Sequence, residues 1–317
     1  MIPMKQALLT GLLLIPTLIM ARAEEPQVVA SIKPIHALVA GVMQGIGEPA
    51  LLIEGGASPH DYSLRPSEVQ LINRAQVVFW VGPELESFLQ RPLANARVRS
   101  VELLETPGLN RLSIREGGPW EAHEHHDAQG KGNHEEDHGH HAHDGYDAHI
   151  WLDPRNAMAM VRQISIVLSE LDPAHQAEYE QNSAALTERL EVLDQELMAQ
   201  LAPVKEVSYF VFHDAYQYFE QRYTLNAVGS IVASPEQLTS ARRVQEIRNL
   251  IRSDQARCVF SEPQFEPALV ATLVEGTGAQ RGVLDPLGTD LVAGPEAYFQ
   301  LLHNLATSLR TCLDVTP

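Results

Sequence analysis

The sequence predicts an α/β protein with two Rossmann-like lobes, each built on a mostly parallel sheet and joined by one long rigid helix. Three observations lead to this fold class. Short β-rich runs alternate with helical patterns in the first part of the chain, an unbroken helical pattern runs over residues 173–201, and the alternation then restarts. Alternating strands and helices favour parallel sheets covered by helices, with ligands bound at the carboxyl ends of the strands. We therefore expect a binding site in the cleft between the lobes.

The first 23 residues are typical of a secretory signal peptide. Lys5 is followed by the apolar run 7–20 and by Ala21-Arg22-Ala23, a small-residue cleavage pattern. We expect cleavage after Ala23 and a periplasmic protein. The apolar run is shorter than the roughly 20 residues of a membrane-spanning helix, so we expect no direct membrane insertion. The net charge of −18 argues against nucleic acid as a partner.

The N-terminal lobe is expected over residues 24–172. Its predicted elements are a strand at 27–32, a helix at 35–44, a short strand at 51–53, a helix at 66–74 and a strand at 77–81. Pro66 stands in the first turn of its helix, where proline is favoured. The last strand is apolar without alternation, as expected for a strand that is buried on both faces.

Residues 117–147 interrupt this pattern. The segment is rich in His, Asp, Glu and Gly and nearly lacks aliphatic residues, which predicts a long, mobile polar loop. Imidazoles and carboxylates bind divalent transition metals, although a solvated charge run has the same composition. We interpret eight histidines here as auxiliary, low-affinity metal ligands: His123, His125, His126, His134, His138, His140, His141 and His143.

A linking helix is expected over residues 173–202, after a helix that Asp153 and Pro154 begin as N-cap and first residue. Leucines recur through the linking helix at three- and four-residue steps. At 1.5 Å per residue it would be about 43 Å long, more than the diameter of a small domain. It would thus be a rigid strut between two lobes; the alternative is a long surface helix of one lobe.

The C-terminal lobe is expected over residues 203–317. Its predicted strands lie at 207–212, 226–228, 257–261 and 282–284, and its helices at 240–252, 267–275 and 295–313. Cys258 and Cys312 are the two cysteines of the chain. In an oxidising compartment one disulfide between them is the expected state, and two free thiols are the alternative.

Four polar side chains stand at strand ends or element junctions, two from each lobe. His60 follows the strand at 51–53, His149 leads into the long helical region, and His213 and Asp285 directly follow strands of the second lobe. An isolated histidine at such a place is more often structural, but three histidines and one aspartate that face the same cleft predict a ligand set. Three imidazoles with a carboxylate or a water make a tetrahedral zinc site.

Five stretches of the sequence resemble a known family. They are SIKPIH at 31–36, GASPHDYSLRPS at 56–67, DAHIWLDP at 147–154, FHDAY at 212–216 and LDPLG at 284–288. In this order, and over nearly the whole chain, they resemble the cluster A-I metal-binding receptors of bacterial ABC importers, specifically the zinc-type members. The resemblance implies two α/β lobes, one long connecting helix and a metal ion held between the lobes.

The resemblance also implies which residues hold the metal. His60, His149 and His213 match the three histidine ligands, and His213 stands where manganese-type relatives carry Glu. Imidazole in place of a hard carboxylate favours zinc over manganese. Asp285 matches a ligand of the manganese-type relatives, but water can take this place in zinc proteins. Pro59 stands where some zinc-type members have Glu, which leaves Asp285 or water as the fourth ligand.

Carboxylates beside the site are candidates to orient the imidazoles by accepting a hydrogen bond from the second ring nitrogen. Asp61 and Asp214 are preferred for this role over Glu262. His36, inside the first helix, is expected to be either a packing residue or a residue that supports a metal ligand from behind.

These observations together predict a monomeric periplasmic receptor, not an enzyme, that delivers Zn²⁺ to the permease of an ABC importer. The alternatives are a zinc-dependent hydrolase, a manganese-binding receptor of the same family, and a metal buffer that acts through residues 117–147 alone.

Overall fold

The computed structural model describes residues 26–115, 117–120, 145–232, 240–265 and 268–314. The predicted signal peptide, its cleavage site and the eight auxiliary histidines lie outside the described residues, so they stay predictions. Within the described ranges, no helix combines the length and the apolar composition that a bilayer crossing requires.

The first sheet is four-stranded and parallel, with the strand order β2-β1-β3-β4. Its strands are β1 Val28–Ala30, β2 Ala50–Leu51, β3 Val77–Trp80 and β4 Arg99–Glu102. The helices of this lobe are α1 Lys33–Val42, α2 Pro66–Arg74 and α3 Gln90–Asn95. Strand β3 is buried at every position, as its unbroken apolar run predicts.

Two long helices follow. Helix α4 is Pro154–Leu171, with the carboxylate of Asp153 accepting from the Arg155 amide as its N-cap. A 3-10 turn at Pro173–His175 then leads into α5, Gln176–Leu201, which has 26 residues and is about 39 Å long at 1.5 Å per residue.

The second sheet is also four-stranded and parallel, with the order β6-β5-β7-β8. Its strands are β5 Tyr209–Val211, β6 Ala227–Ser230, β7 Cys258–Ser261 and β8 Gln280–Val283. The helices are α6 Gln217–Tyr223, α7 Ala241–Ser253, α8 Ala268–Val274 and α9 Ala297–Leu313. Both sheets reverse their order between the first and third strand, and such reversal points open a crevice at the carboxyl ends of the strands.

Helix α5 contacts both lobes, as expected of a strut. It packs on α1 and α4 of the first lobe and on α6 and α9 of the second. Leu190, Leu193, Leu197 and Leu201 lie on its buried face. The same apolar core includes Phe79 and Phe260, one from each sheet, so that the packing is continuous from one lobe to the other.

The strands of the second lobe differ in extent from those predicted. The last one begins at Gln280 instead of residue 282, and it runs through Arg281 and Gly282. Strand β8 lies at the edge of the sheet and is largely exposed, so its residues need not be apolar. A prediction from hydrophobic runs therefore placed this strand too late.

The disulfide between Cys258 and Cys312 is confirmed; it joins β7 to α9, with the Cα atoms 6.2 Å apart. Both cysteines are buried within the second lobe.

Replacing both cysteines with serine should lower the free energy of unfolding, because the bridge closes a loop of 54 residues. The loop-entropy argument gives a loss of roughly 4 kcal/mol. Urea unfolding followed by circular dichroism measures it. Reducing the wild type should cause a similar shift, and reductant should not affect the double variant. An unchanged midpoint in the double variant would contradict the expectation.

Candidate metal centre

Three imidazoles from different segments converge in the cleft. The Nε2 atom of His149 lies 3.3 Å from Nε2 of His60 and 3.4 Å from Nε2 of His213. One ring nitrogen of each residue lies within 4.8 Å of the other two. His60 is in the loop after β2, His213 follows β5, and His149 precedes a 3-10 turn, Ile150–Leu152. The three histidines are therefore brought together as the sequence predicted.

Buried carboxylates orient two of these rings. Nδ1 of His149 lies 2.7 Å from Oδ1 of Asp147, and Nδ1 of His213 lies 2.6 Å from Oε1 of Glu262. A carboxylate accepts only, so each Nδ1 is assigned as the protonated donor and each Nε2 then carries a lone pair. Two lone pairs that face each other across 3.4 Å cannot hydrogen-bond to one another. A cation bound by both nitrogens, or a proton shared between them, would satisfy both lone pairs.

The spacing of the nitrogens fits zinc. Tetrahedral zinc binds imidazole nitrogen at about 2.0–2.1 Å, which places two nitrogen ligands about 3.3–3.4 Å apart. The two Nε2–Nε2 distances measured from His149 are 3.3 and 3.4 Å. The rings are thus arranged at the separation that a tetrahedral ion requires.

The surroundings of the rings affect their protonation in opposite directions. Burial lowers the pKa of His60 well below its ordinary value, and the two neighbouring imidazoles lower it further. Burial also acts to lower the pKa of His213, but the charge of Glu262 and its hydrogen bond outweigh this effect and raise the pKa. In the metal-free site a proton is therefore held preferentially at His213 and not at His60.

Asp285 does not join the three-ring cluster. Its carboxylate accepts hydrogen bonds from the backbone amides of Leu287, Gly288 and Thr289, and from the side-chain amide of Gln264. The role of Asp285 as a metal ligand accordingly stays a prediction, and here its oxygens serve as acceptors within a turn.

The preference for Asp61 and Asp214 as orienting carboxylates was wrong. Asp61 is exposed, and Asp214 forms an ion pair with Arg115. Glu262, the less favoured candidate, holds His213, and Asp147 holds His149. Asp147 was not among the predicted orienting residues, although an acidic residue two positions before a candidate ligand is a signal that could have indicated it.

His36 is a packing residue, one of its two expected roles. It is buried in α1, and its Nε2 lies 2.9 Å from the carbonyl oxygen of Pro49, away from the three rings.

A cavity of about 290 Å³ opens beside the rings. Its walls include the three histidines together with Glu84, Arg115, Trp120 and Tyr146. This is far more than a single water needs, so the cavity beside the imidazoles has room for several waters.

Two parallel-sheet lobes, one long helix between them and three converging imidazoles in the cleft define the class of two-lobed metal receptors. The family model described as "Zinc-uptake complex component A periplasmic" matches residues 28–312. The chain belongs to this family, the ZnuA family.

Relatives of known name agree with this membership. The High-affinity zinc uptake system protein ZnuA of Brucella suis biovar 1 is 49% identical over 309 residues, with 92% of each chain covered. The protein of the same name from Yersinia pestis is 37% identical over 315 residues, with 98% of each chain covered.

Solved structures show the same fold. A crystal structure of ZnuA matches with a TM-score of 0.75 at 24% identity, covering 92% of this chain and 100% of the other. The periplasmic zinc-binding protein TroA of Treponema pallidum matches with a TM-score of 0.75 at 21% identity, covering 92% and 99%.

Removing the charge of an orienting carboxylate should weaken metal binding. Glu262→Gln and Asp147→Asn keep the shape of each side chain. They remove the negative charge that stabilises the imidazole when its other nitrogen binds a cation. We expect each to weaken zinc binding about 10- to 100-fold. Competition with a chromogenic chelator measures the affinity. The exposed Asp61→Asn is the matched control and should bind like the wild type; a loss there equal to that of Glu262→Gln would contradict the role given to Glu262.

Proposed function

We propose that the protein is the periplasmic receptor of a zinc importer. It binds Zn²⁺ between its lobes through Nε2 of His60, His149 and His213, and it delivers the ion to the permease of an ABC transporter. The observation that carries the proposal is the convergence of the imidazole nitrogens at the separation of a tetrahedral ion. The names of the curated relatives, which are zinc uptake proteins, support the same ion.

Charge balance supports a divalent cation in this place. His149 and His213 are buried, and so are the two carboxylates behind them, Asp147 and Glu262. Two buried negative charges are costly unless they are compensated. One Zn²⁺ on the far side of the two rings balances both, and a proton on His213 gives only half of this compensation.

Zinc, and not manganese, fits the set of donor atoms. Three neutral nitrogens suit zinc, whereas manganese prefers oxygen ligands. For the fourth position we propose water, since the carboxylate of Asp285 is engaged by backbone amides and by Gln264. The cavity beside the rings provides room for this water.

A receptor fits the site better than a hydrolase. A hydrolase needs a general base within reach of the metal-bound water. Among the described residues, the carboxylates bonded to the rings already accept from His149 and His213, Asp214 is paired with Arg115, and Glu84 is an exposed residue of the cavity wall. We therefore propose that the protein is not an enzyme. Cleavage after Ala23, a monomeric state and auxiliary binding by the eight histidines between His123 and His143 remain part of the proposal.

Alanine variants of the three histidines test the proposed site. His60→Ala, His149→Ala and His213→Ala should each weaken zinc binding by more than the roughly 100-fold that the loss of an outer hydrogen-bond partner causes. Zinc should also raise the melting temperature of the wild type but hardly that of the variants, since a ligand stabilises only the state that binds it. Titration against a chelator and thermal unfolding measure the two effects.

Deletion of residues 121–144 separates this site from the histidine-rich segment. We expect the deletion protein to keep one tightly bound zinc and to lose only weaker binding. The proposal would be overturned if the deletion abolished tight zinc binding while a variant with all three histidines changed to alanine still bound zinc. The histidine-rich segment would then be the receptor site. Ester, peptide and phosphate hydrolysis by the zinc-loaded protein would overturn the receptor assignment instead.

Zinc affinity should fall as the pH is lowered, because protons and zinc compete for the same imidazole nitrogens. Glu262 raises the pKa of His213, so this competition begins at a higher pH than for a free imidazole of pKa about 6.5. Binding is strongest above the pKa of His213 and is lost as the pH falls through it. Calorimetry in buffers of different ionisation enthalpy measures the protons released. In Glu262→Gln the loss should shift to lower pH; affinity that is constant down to about pH 5 would contradict a three-imidazole site.

A further inference from the structure

Lys33 joins the two lobes beside the metal centre. It is the first residue of α1 and follows β1, at the carboxyl edge of the first sheet. Its Nζ donates to the carbonyl oxygens of Gly288 and Thr289 in the second lobe, each at 2.7 Å. Only 8% of the residue is exposed. A buried ammonium is costly unless it is hydrogen-bonded, and both of these acceptors belong to one turn.

That turn, residues 285–289, also holds the carboxylate of Asp285. Its amides at Leu287, Gly288 and Thr289 donate to the Asp285 carboxylate, while its carbonyls at Gly288 and Thr289 accept from Lys33. The Gly288 carbonyl and the Thr289 amide belong to one peptide group, and a peptide group polarised by a cation at its carbonyl is a better donor at its amide. Lys33 therefore fixes the position of the turn and strengthens its hold on the carboxylate.

The turn also lies against the metal site. Pro286, Leu287 and Gln264 line a small cavity together with the three histidines. The loop that carries His60 packs closely on the turn at Gly56, where an added Cβ would lie 2.8 Å from the Cγ2 atom of Thr289. Asp285 thus directly precedes two residues that line the metal cavity, Pro286 and Leu287. Hydrogen bonds from the turn's own amides hold its carboxylate, and Lys33 holds the turn.

We propose that Lys33 is a specificity-determining residue that keeps Asp285 away from the metal. With the turn fixed, the ion receives three nitrogens from the protein and one water. With the turn released, the Asp285 carboxylate becomes a fourth protein ligand. An added anionic oxygen favours harder ions such as Mn²⁺ relative to Zn²⁺. This inference rests on the proposed zinc site and concerns how that site excludes competing ions.

Lys33→Met tests the inference, since methionine occupies a similar volume without donating a hydrogen bond. We expect Mn²⁺ to bind at least about 10-fold more tightly than to the wild type, with a smaller change for Zn²⁺. Bound Co²⁺ should change its visible spectrum as the carboxylate replaces the water. Both effects should disappear in Lys33→Met combined with Asp285→Asn. Lys205→Met, at an exposed lysine of the second lobe, is the matched control and should behave like the wild type.

Hydrogen exchange in the metal-free protein provides a readout that does not depend on zinc. The amides of Leu287, Gly288 and Thr289 should exchange faster in Lys33→Met than in the wild type, and amides within α7, which packs on α8, should not. If Lys33→Met fails to fold, Gln264→Leu releases one side-chain bond to Asp285 and should shift the Mn²⁺/Zn²⁺ ratio in the same direction.

The outcomes separate this inference from the proposed function. A wild type that binds no zinc through the three histidines would overturn the proposed function. A wild type that binds zinc there, together with unchanged ion preference and unchanged amide exchange in Lys33→Met, would overturn the role of Lys33 alone. A preference for Mn²⁺ that survives in the double variant would overturn the role of Asp285.

Discussion

The arrangement on which the site depends is the pairing of two buried imidazoles with two buried carboxylates. Asp147 and Glu262 each fix one nitrogen of their ring as a donor, so that the lone pairs of the other nitrogens face one another. Such a site is electrostatically incomplete without a cation. The ring orientations that a metal ion would require are therefore set by hydrogen bonds that form before any ion binds.

The fold brings these groups together from distant parts of the chain. His213 and Glu262 follow β5 and β7, adjacent strands on either side of the point where the second sheet reverses its order. His149 is held from the second lobe as well: Trp151 donates to the carbonyl oxygen of Pro286, and Tyr298 donates to that of Trp151. With α5 packed on helices of both lobes, the relative position of the lobes is determined by apolar contacts as well as by the site.

Much of this could be predicted from the sequence. The alternation of strands and helices predicted the two parallel sheets, and the position of His60 and His213 after strands predicted that they would meet. The orienting carboxylates could not be ranked, because nearness in sequence does not decide which way a side chain points. Asp214 directly follows His213 yet pairs with Arg115, whereas Glu262, 49 residues away, reaches the ring from the adjacent strand. Such pairings depend on strand order and register, which hydrophobic patterns do not contain.

Asp285 shows that a residue at a ligand position of the sequence need not be free to bind a metal. Its place after β8 puts a carboxylate at the edge of the cleft, where oxygen would be a chemically reasonable ligand. A carboxylate that accepts from three amides and a glutamine, however, must lose these bonds before it can bind an ion, and each bond to a charged group contributes about 1.5–3 kcal/mol. A water ligand carries no such cost. The contacts around Asp285, more than its presence in the sequence, therefore favour water over this carboxylate as a fourth ligand beside the three imidazoles.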